Sequence, residues 1–125
     1  MNKKIFVVCL IVLAIVSAGV VSASQNITVD GIDFKIPSSY EKNTVKSNDS
    51  SVLFEDGTDI IMITIWDSNG VDLDAVKLDG DVKKTISGKE GWYGNTSTLS
   101  FFTFKEDGKF VSVAAPDEST LESII

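Results

Sequence analysis

The sequence predicts one small α+β domain: an antiparallel, hairpin-rich β-sheet of about six or seven strands with one or two short helices packed on it, after an N-terminal signal peptide. Three observations predict it. Asp-Gly pairs at 30–31, 56–57 and 107–108 each sit between β-rich runs, and Asp-Gly is the pair that a two-residue type I′ hairpin turn prefers, because both positions need positive φ. The stretch Asp59–Trp66, DIIMITIW, is apolar except at Asp59 and Thr64; a half-buried strand would alternate, so this run reads as a central strand buried on both faces. Residues 1–23 begin MNKK, continue in an almost wholly apolar run over 5–21 and end in Val21-Ser22-Ala23, the pattern of a secretory signal cleaved after Ala23.

The elements follow in order. Ile27–Ile36, ITVDGIDFKI, is a hairpin whose register checks itself. With the turn at Asp30-Gly31, Val29 faces Ile32, Thr28 faces Asp33 and Ile27 faces Phe34, so the apolar residues share one face. Pro37 ends it, having no backbone donor for a further ladder bond. Ser38–Ser51 is polar, with Tyr40 and Val45 its sizeable apolar residues, and reads as a loop with a short edge strand near Val45. Asp56-Gly57 then turns Val52–Phe54 back on Asp59–Ile61, pairing Leu53 with Ile60 and Val52 with Ile61. After the turn Asp67–Gly70, Leu73, Val76 and Leu78 predict a short helix over 73–78 capped by Asp72. Val82–Ser87 and Trp92–Asn95 read as strands bent around Gly88–Gly91. The third Asp-Gly hairpin pairs Phe104 with Val111 and Phe102 with Val113 on the core face, and Lys105 with Phe110, Thr103 with Ser112 and Phe101 with Ala114 on the other. Asp117 caps a last helix in which Leu121, Ile124 and Ile125 form an apolar stripe.

Composition narrows the function. The chain carries a net charge of −7 and contains neither Arg nor His, which suits neither nucleic acid nor an anionic membrane surface. Its one cysteine, Cys9, lies inside the apolar leader, so residues 24–125 form no disulfide and depend on packing. Missing His and Cys remove the commonest general base, metal ligand and thiol nucleophile. If the leader were not cleaved, residues 5–21 would be a membrane anchor of about 26 Å, slightly short of a hydrocarbon core of about 30 Å. Either way, Lys3 and Lys4 hold the N-terminus inside and place residues 24–125 outside the cytoplasmic membrane.

The segments Val29–Pro37 (VDGIDFKIP), Lys84–Gly91 (KTISGKEG) and Phe104–Val111 (FKEDGKFV), in that order before a short helix, resemble small exported proteins of methanogenic archaea. The resemblance spans nearly all of residues 24–125. It implies export and a compact α+β domain, and brings neither an assigned activity nor a functional residue. In strand order alone the chain is also similar to PsbP/Mog1-like domains.

No catalytic, cofactor-binding or metal-ligating residue is assigned, and three constellations are weighed instead. Asp67, Asn69, Asp72, Asp74, Asp79 and Asp81 supply the oxygen ligands that calcium takes. Their spacing departs from the EF-hand loop, since the fifth position after a start at Asp67 is Val71 and the twelfth is Leu78, so a solvated acidic turn is favoured. Trp66, Trp92 and Tyr93 would make an aromatic platform for sugar rings, against the commoner role of large aromatics in packing. A glycosidase needs two carboxylates about 5 to 10 Å apart across a cleft, and with 18 acidic residues such a separation is inevitable and singles out no pair. Asn26-Ile-Thr28, Asn48-Asp-Ser50 and Asn95-Thr-Ser97 are acceptor sequences for N-glycosylation in an exported chain. The expectation is a secreted or cell-surface, non-catalytic binding or structural module, meeting a cell-envelope polymer or another surface protein. The alternative is a small carboxylate-dependent hydrolase acting on extracellular polymer.

Overall fold

The computed structural model describes residues 23–125. The leader, its cleavage and Cys9 fall outside them. Among the described residues no helix is long and apolar enough to cross a membrane.

The first hairpin forms as its turn chemistry predicts. Strands β1 (Ser24–Val29) and β2 (Ile32–Pro37) pair with Val29 opposite Ile32 and Ile27 opposite Phe34, around Asp30 at φ 48° and Gly31 at φ 84°. Val29, Ile32, Phe34 and Ile36 are buried on one side. The short edge strand, β3, is Glu41–Lys42 rather than a segment near Val45. Val45 is 91% exposed, whereas Tyr40 is buried and fixes the start of the loop to the core.

Strands β4 (Ser51–Asp56) and β5 (Asp59–Asp67) form the second hairpin in a register shifted from the expected one. Leu53 faces Met62 and Val52 faces Ile63, with Asp56 opposite Asp59. The turn residues are therefore Gly57 and Thr58, with Gly57 at φ 65°, so glycine takes the first turn position as in type II′. The slip is even, so every side chain keeps its predicted face. Strands β6 (Val82–Ile86) and β7 (Lys89–Asn95) close tightly at Ser87-Gly88, φ 51° and 80°, instead of around residues 88–91. Strands β8 (Ser100–Glu106) and β9 (Lys109–Ala115) keep the predicted register throughout.

The strands make a seven-stranded antiparallel sheet in the order β3-β4-β5-β9-β8-β7-β6, with β1-β2 as a separate two-stranded sheet. The core is one layer: hairpin β1-β2 and helix α1 (Glu118–Ile124) cover one face of the large sheet. Phe34 and Ile36 of the hairpin and Leu121 and Ile124 of the helix pack there with Ile61, Ile63, Phe102, Phe104, Val111 and Val113. Polar clasps hold the cover down. Lys109 Nζ donates to the Asp30 carbonyl at 2.8 Å, Lys84 pairs with Glu118 at 2.7 Å, and Ser87 Oγ donates to the Glu122 carbonyl at 3.1 Å.

This arrangement corrects the reading of β5. Ile61, Ile63 and Ile65 are buried, but Met62 is 39% and Trp66 40% exposed, so β5 is covered on one face. The strand buried on both sides is β9, in the middle of the sheet, where Phe110 and Ala114 are buried on the outer face and Val111, Val113 and Ala115 on the inner. The helix expected over 73–78 is a 3-10 turn, Leu73–Val76, which buries no residue and receives no side-chain cap from Asp72. With no apolar face to bury, so short a segment has nothing to offset the cost of helix nucleation.

Two predictions follow from this packing. Gly91 is buried opposite Phe104, and a Cβ there would run into the Thr103 carbonyl oxygen and the Phe102 ring. Gly91→Ala should therefore lower stability by about 1–3 kcal/mol, read as a fall in the urea midpoint. Asp117 accepts hydrogen bonds from the Thr120 hydroxyl at 2.7 Å and the Thr120 N–H at 2.8 Å. These hold its carboxyl below the usual carboxylate range, against a smaller upward push from desolvation. A folded-state pKa below the unfolded one stabilises above the unfolded value and stops doing so as pH falls through the folded one. Asp117→Ala should cost about 1 kcal/mol near neutrality, and the gap between the two melting curves should close once the pH drops below Asp117's depressed pKa.

Candidate functional site

The outer face of the seven-stranded sheet is divided in two. Segment 68–81 crosses it over β7 and β8, held by Trp92 Nε1 donating to the Leu73 carbonyl at 2.8 Å and Lys105 Nζ donating to the Val71 carbonyl at 3.0 Å. Lys83 lies 4.7 Å from the Trp92 ring centroid and 3.7 Å from Asp74. The other half, over β4, β5 and β9, is only partly open: Met62 and Trp66 of β5 are exposed, whereas Leu53 of β4 and Phe110 and Ala114 of β9 are buried.

That half is ordered in rows, because strand register lines up residues of like parity. One row is Ser51, Thr64 and Ser112, on β4, β5 and β9, and it runs on to Thr103 of β8 in the covered half. Ser51 and Thr64 share a hydrogen bond at 3.3 Å, and Thr103 donates to Ser112 at 3.4 Å. All four are half-buried, and each hydroxyl keeps further donor or acceptor capacity after one such bond. Roughly 7 Å along the strands on one side runs an apolar row of Leu53, Met62, Ala114 and Phe101. On the other side Trp66 stands next to Phe110, their ring centroids 5.6 Å apart. Apart from Lys105 beyond Phe110, these rows carry no charged side chain, in a protein whose net charge is −7.

The aromatic platform of Trp66, Trp92 and Tyr93, weighed against the favoured packing role, is only partly assembled. Trp66 and Trp92 share the outer face, but β9 and β8 lie between their strands, which puts them on the order of 15 Å apart. Trp92 is engaged by segment 68–81. Tyr93 is on the opposite face, its hydroxyl 3.2 Å from Ser100 Oγ and its ring under Lys84. Met62 and the four hydroxyls take their place. Their signal in the sequence was Thr64, the one polar interruption of the DIIMITIW run, together with the Thr103–Ser112 pair of the third hairpin.

Three of the acidic residues of 67–81 have separate local partners. Asp67 accepts from the Asn69 N–H at 2.8 Å, Asp81 from the Leu78 N–H at 3.0 Å, and Asp74 faces Lys83. Among the described residues no three His, Cys, Asp or Glu side chains are placed to hold a metal ion. On the core side, a groove of about 700 Å³ between hairpin β1-β2 and the end of α1 includes Asp33 and Glu122 in its walls. Asp33 accepts from the Thr28 hydroxyl at 2.6 Å. The groups displaced from ordinary titration belong to loop and helix packing. Burial raises Tyr40, with Asp59, Asp56 and Asp117 adding to the shift, and the bond to Glu118 raises Lys84.

The fold and this face define the class as a hairpin-built α+β sheet protein with a half-open outer face. Compared with known proteins, the chain matches no family model, no curated protein and no solved structure.

Because Trp92 Nε1 donates to a backbone carbonyl of segment 68–81, Trp92→Phe should cost about 1 kcal/mol. Faster amide hydrogen exchange confined to residues 71–81 would show the segment loosening; an unchanged exchange pattern would mean that it is held elsewhere.

Proposed function

We propose that the protein is an exported, non-catalytic binding module of the cell envelope, and that the partly open half of its outer sheet face is the surface that binds. The observation that carries this reading is the uncharged row of Ser51, Thr64 and Ser112, flanked by the exposed side chains of Met62 and Trp66. Hydroxyls beside an aromatic ring and a thioether fit an uncharged polymer rich in hydroxyls, such as a neutral polysaccharide: ring faces stack on the indole while hydroxyls bond to hydroxyls. A charged ligand finds no counter-charge within those rows, and Lys105 beside Phe110 is bonded to the Val71 carbonyl. The leader pattern of residues 1–23 and the resemblance to small exported proteins of methanogenic archaea support the location.

The test is co-sedimentation of the protein with extracted envelope polymers and with insoluble cellulose and chitin, at low and high salt. Retention should survive high salt, because screening weakens charge contacts and leaves stacking and neutral hydrogen bonds in place. Trp66→Ala should weaken retention by roughly 2- to 10-fold, for the loss of about 0.5–1.5 kcal/mol of aromatic stacking. Retention that vanishes with salt, or that ignores Trp66, would overturn the assignment of this face.

A second reading has one observation in its favour: the groove containing Asp33 and Glu122 presents two carboxylates, the minimum that a carboxylate hydrolase requires. It predicts release of reducing ends from a polymer, abolished by Asp33→Asn or Glu122→Gln and untouched by Trp66→Ala. The binding module predicts no release.

A further inference from the structure

The three Asn-X-Ser/Thr sequences are placed differently by the fold. Asn26 and Asn95 lie within strand ladders, opposite Lys35 and Ser100. Asn26 lines the groove beside α1, Asn95 lines a hollow beside residues 78–82, and the Thr28 hydroxyl that completes the first sequence is bound to Asp33. All three asparagines are exposed, but Asn48 stands in the loop between β3 and β4, outside any ladder, and lines neither hollow.

The loop presents its carboxamide in one orientation. Asn48 Oδ1 accepts from the Ser50 N–H at 2.9 Å and the Ser51 N–H at 3.0 Å, while the Asn48 N–H donates to the Ser51 carbonyl at 2.8 Å. With the oxygen held by the loop backbone, the planar amide leaves Nδ2 on its other side, away from those two donors. Among the described residues neither Asn48 Nδ2 nor the Ser50 hydroxyl is engaged in a hydrogen bond. An exposed loop outside any ladder is also where a modifying enzyme reaches the backbone at least cost to the fold.

We propose that Asn48 is an N-glycosylation site, taking its glycan from a lipid-phosphate-linked oligosaccharide. In the transfer, Nδ2 bonds to the anomeric carbon of the first sugar, the bond from that carbon to the lipid phosphate oxygen breaks, and the lipid phosphate leaves with the electron pair. A base of the transferase takes the Nδ2 proton, and nothing is oxidised or reduced. The proposal rests on the export reading, since the transferase meets only chains that enter a secretory route.

The experiment separates the two. The full chain is expressed in yeast with its own leader and, in parallel, behind an established secretory leader, and the peptide carrying Asn48 is weighed before and after peptide-N-glycosidase. The expected result is a glycan's mass on Asn48 with both leaders. It should be lost in Asn48→Gln and in Ser50→Ala, the latter keeping the Asn48 turn intact, and retained in Ser50→Thr. A glycan only behind the established leader would uphold the site and overturn export by the chain's own leader. A secreted chain with Asn48 bare would overturn the site.

Discussion

The pairing of β5 with β9 is the constraint on which the rest of the structure depends. Every other ladder joins strands that follow each other in the chain, whereas this one sets Met62–Asp67 against Lys109–Ala114. It fuses the β3-β4-β5 part to the β6–β9 meander, and makes one continuous inner face from Ile61, Ile63 and Ile65 on one part and Val111, Val113 and Phe102 on the other. Without it neither part has enough apolar surface on one side to seat both the β1-β2 hairpin and α1. Ser68, itself buried, fastens the end of this ladder by donating through both its N–H and Oγ to the Gly108 carbonyl, at 3.0 and 2.8 Å.

The same pairing dictates where segment 68–81 goes. The chain leaves β5 and must reach β6 at the far edge of the sheet, four strand positions away, a span of roughly 19 Å. The inner face is already taken by the hairpin and the helix, so the segment crosses outside. Trp92 and Lys105 supply the donors that its exposed carbonyls need. The crossing covers β7 and β8 and stops short of β4 and β5. The half-open outer face is thus a consequence of sheet order, and its row of hydroxyls is a consequence of register.

Much of this was legible in the residues. The Asp30-Gly31 and Asp107-Gly108 turns set their hairpins because two turn positions at positive φ fix the pairing of every residue outward from them. Asp117 and the Leu121–Ile124 stripe placed α1 in the same way. The Gly57-Thr58 turn was misplaced because Asp-Gly is compatible with more than one turn, and only the ladder itself selects glycine for the first position. The 73–78 segment was misread because three apolar residues imitate a helix period over a length too short to test it. The continuity of DIIMITIW promised cover on two sides, but apolar residues also stand at open surfaces, and alternate burial along β5 reflects what lies above it.

The candidate site divides along the same line. Thr103 opposite Ser112 was fixed by a local turn, whereas Ser51 opposite Thr64 waited on the true register of the second hairpin, and the union of the two pairs waited on β5 meeting β9. By itself the sequence determined the hairpins, the charge, the absence of thiol and imidazole from residues 24–125, and the acceptor sequence at Asn48, all of which depend on residues close together in the chain or on composition. Only the tertiary structure decided which strand lies at the centre, which face stays open and which of Trp66, Trp92 and Tyr93 stands on it, because these depend on a pairing across more than 40 residues that no local spacing encodes.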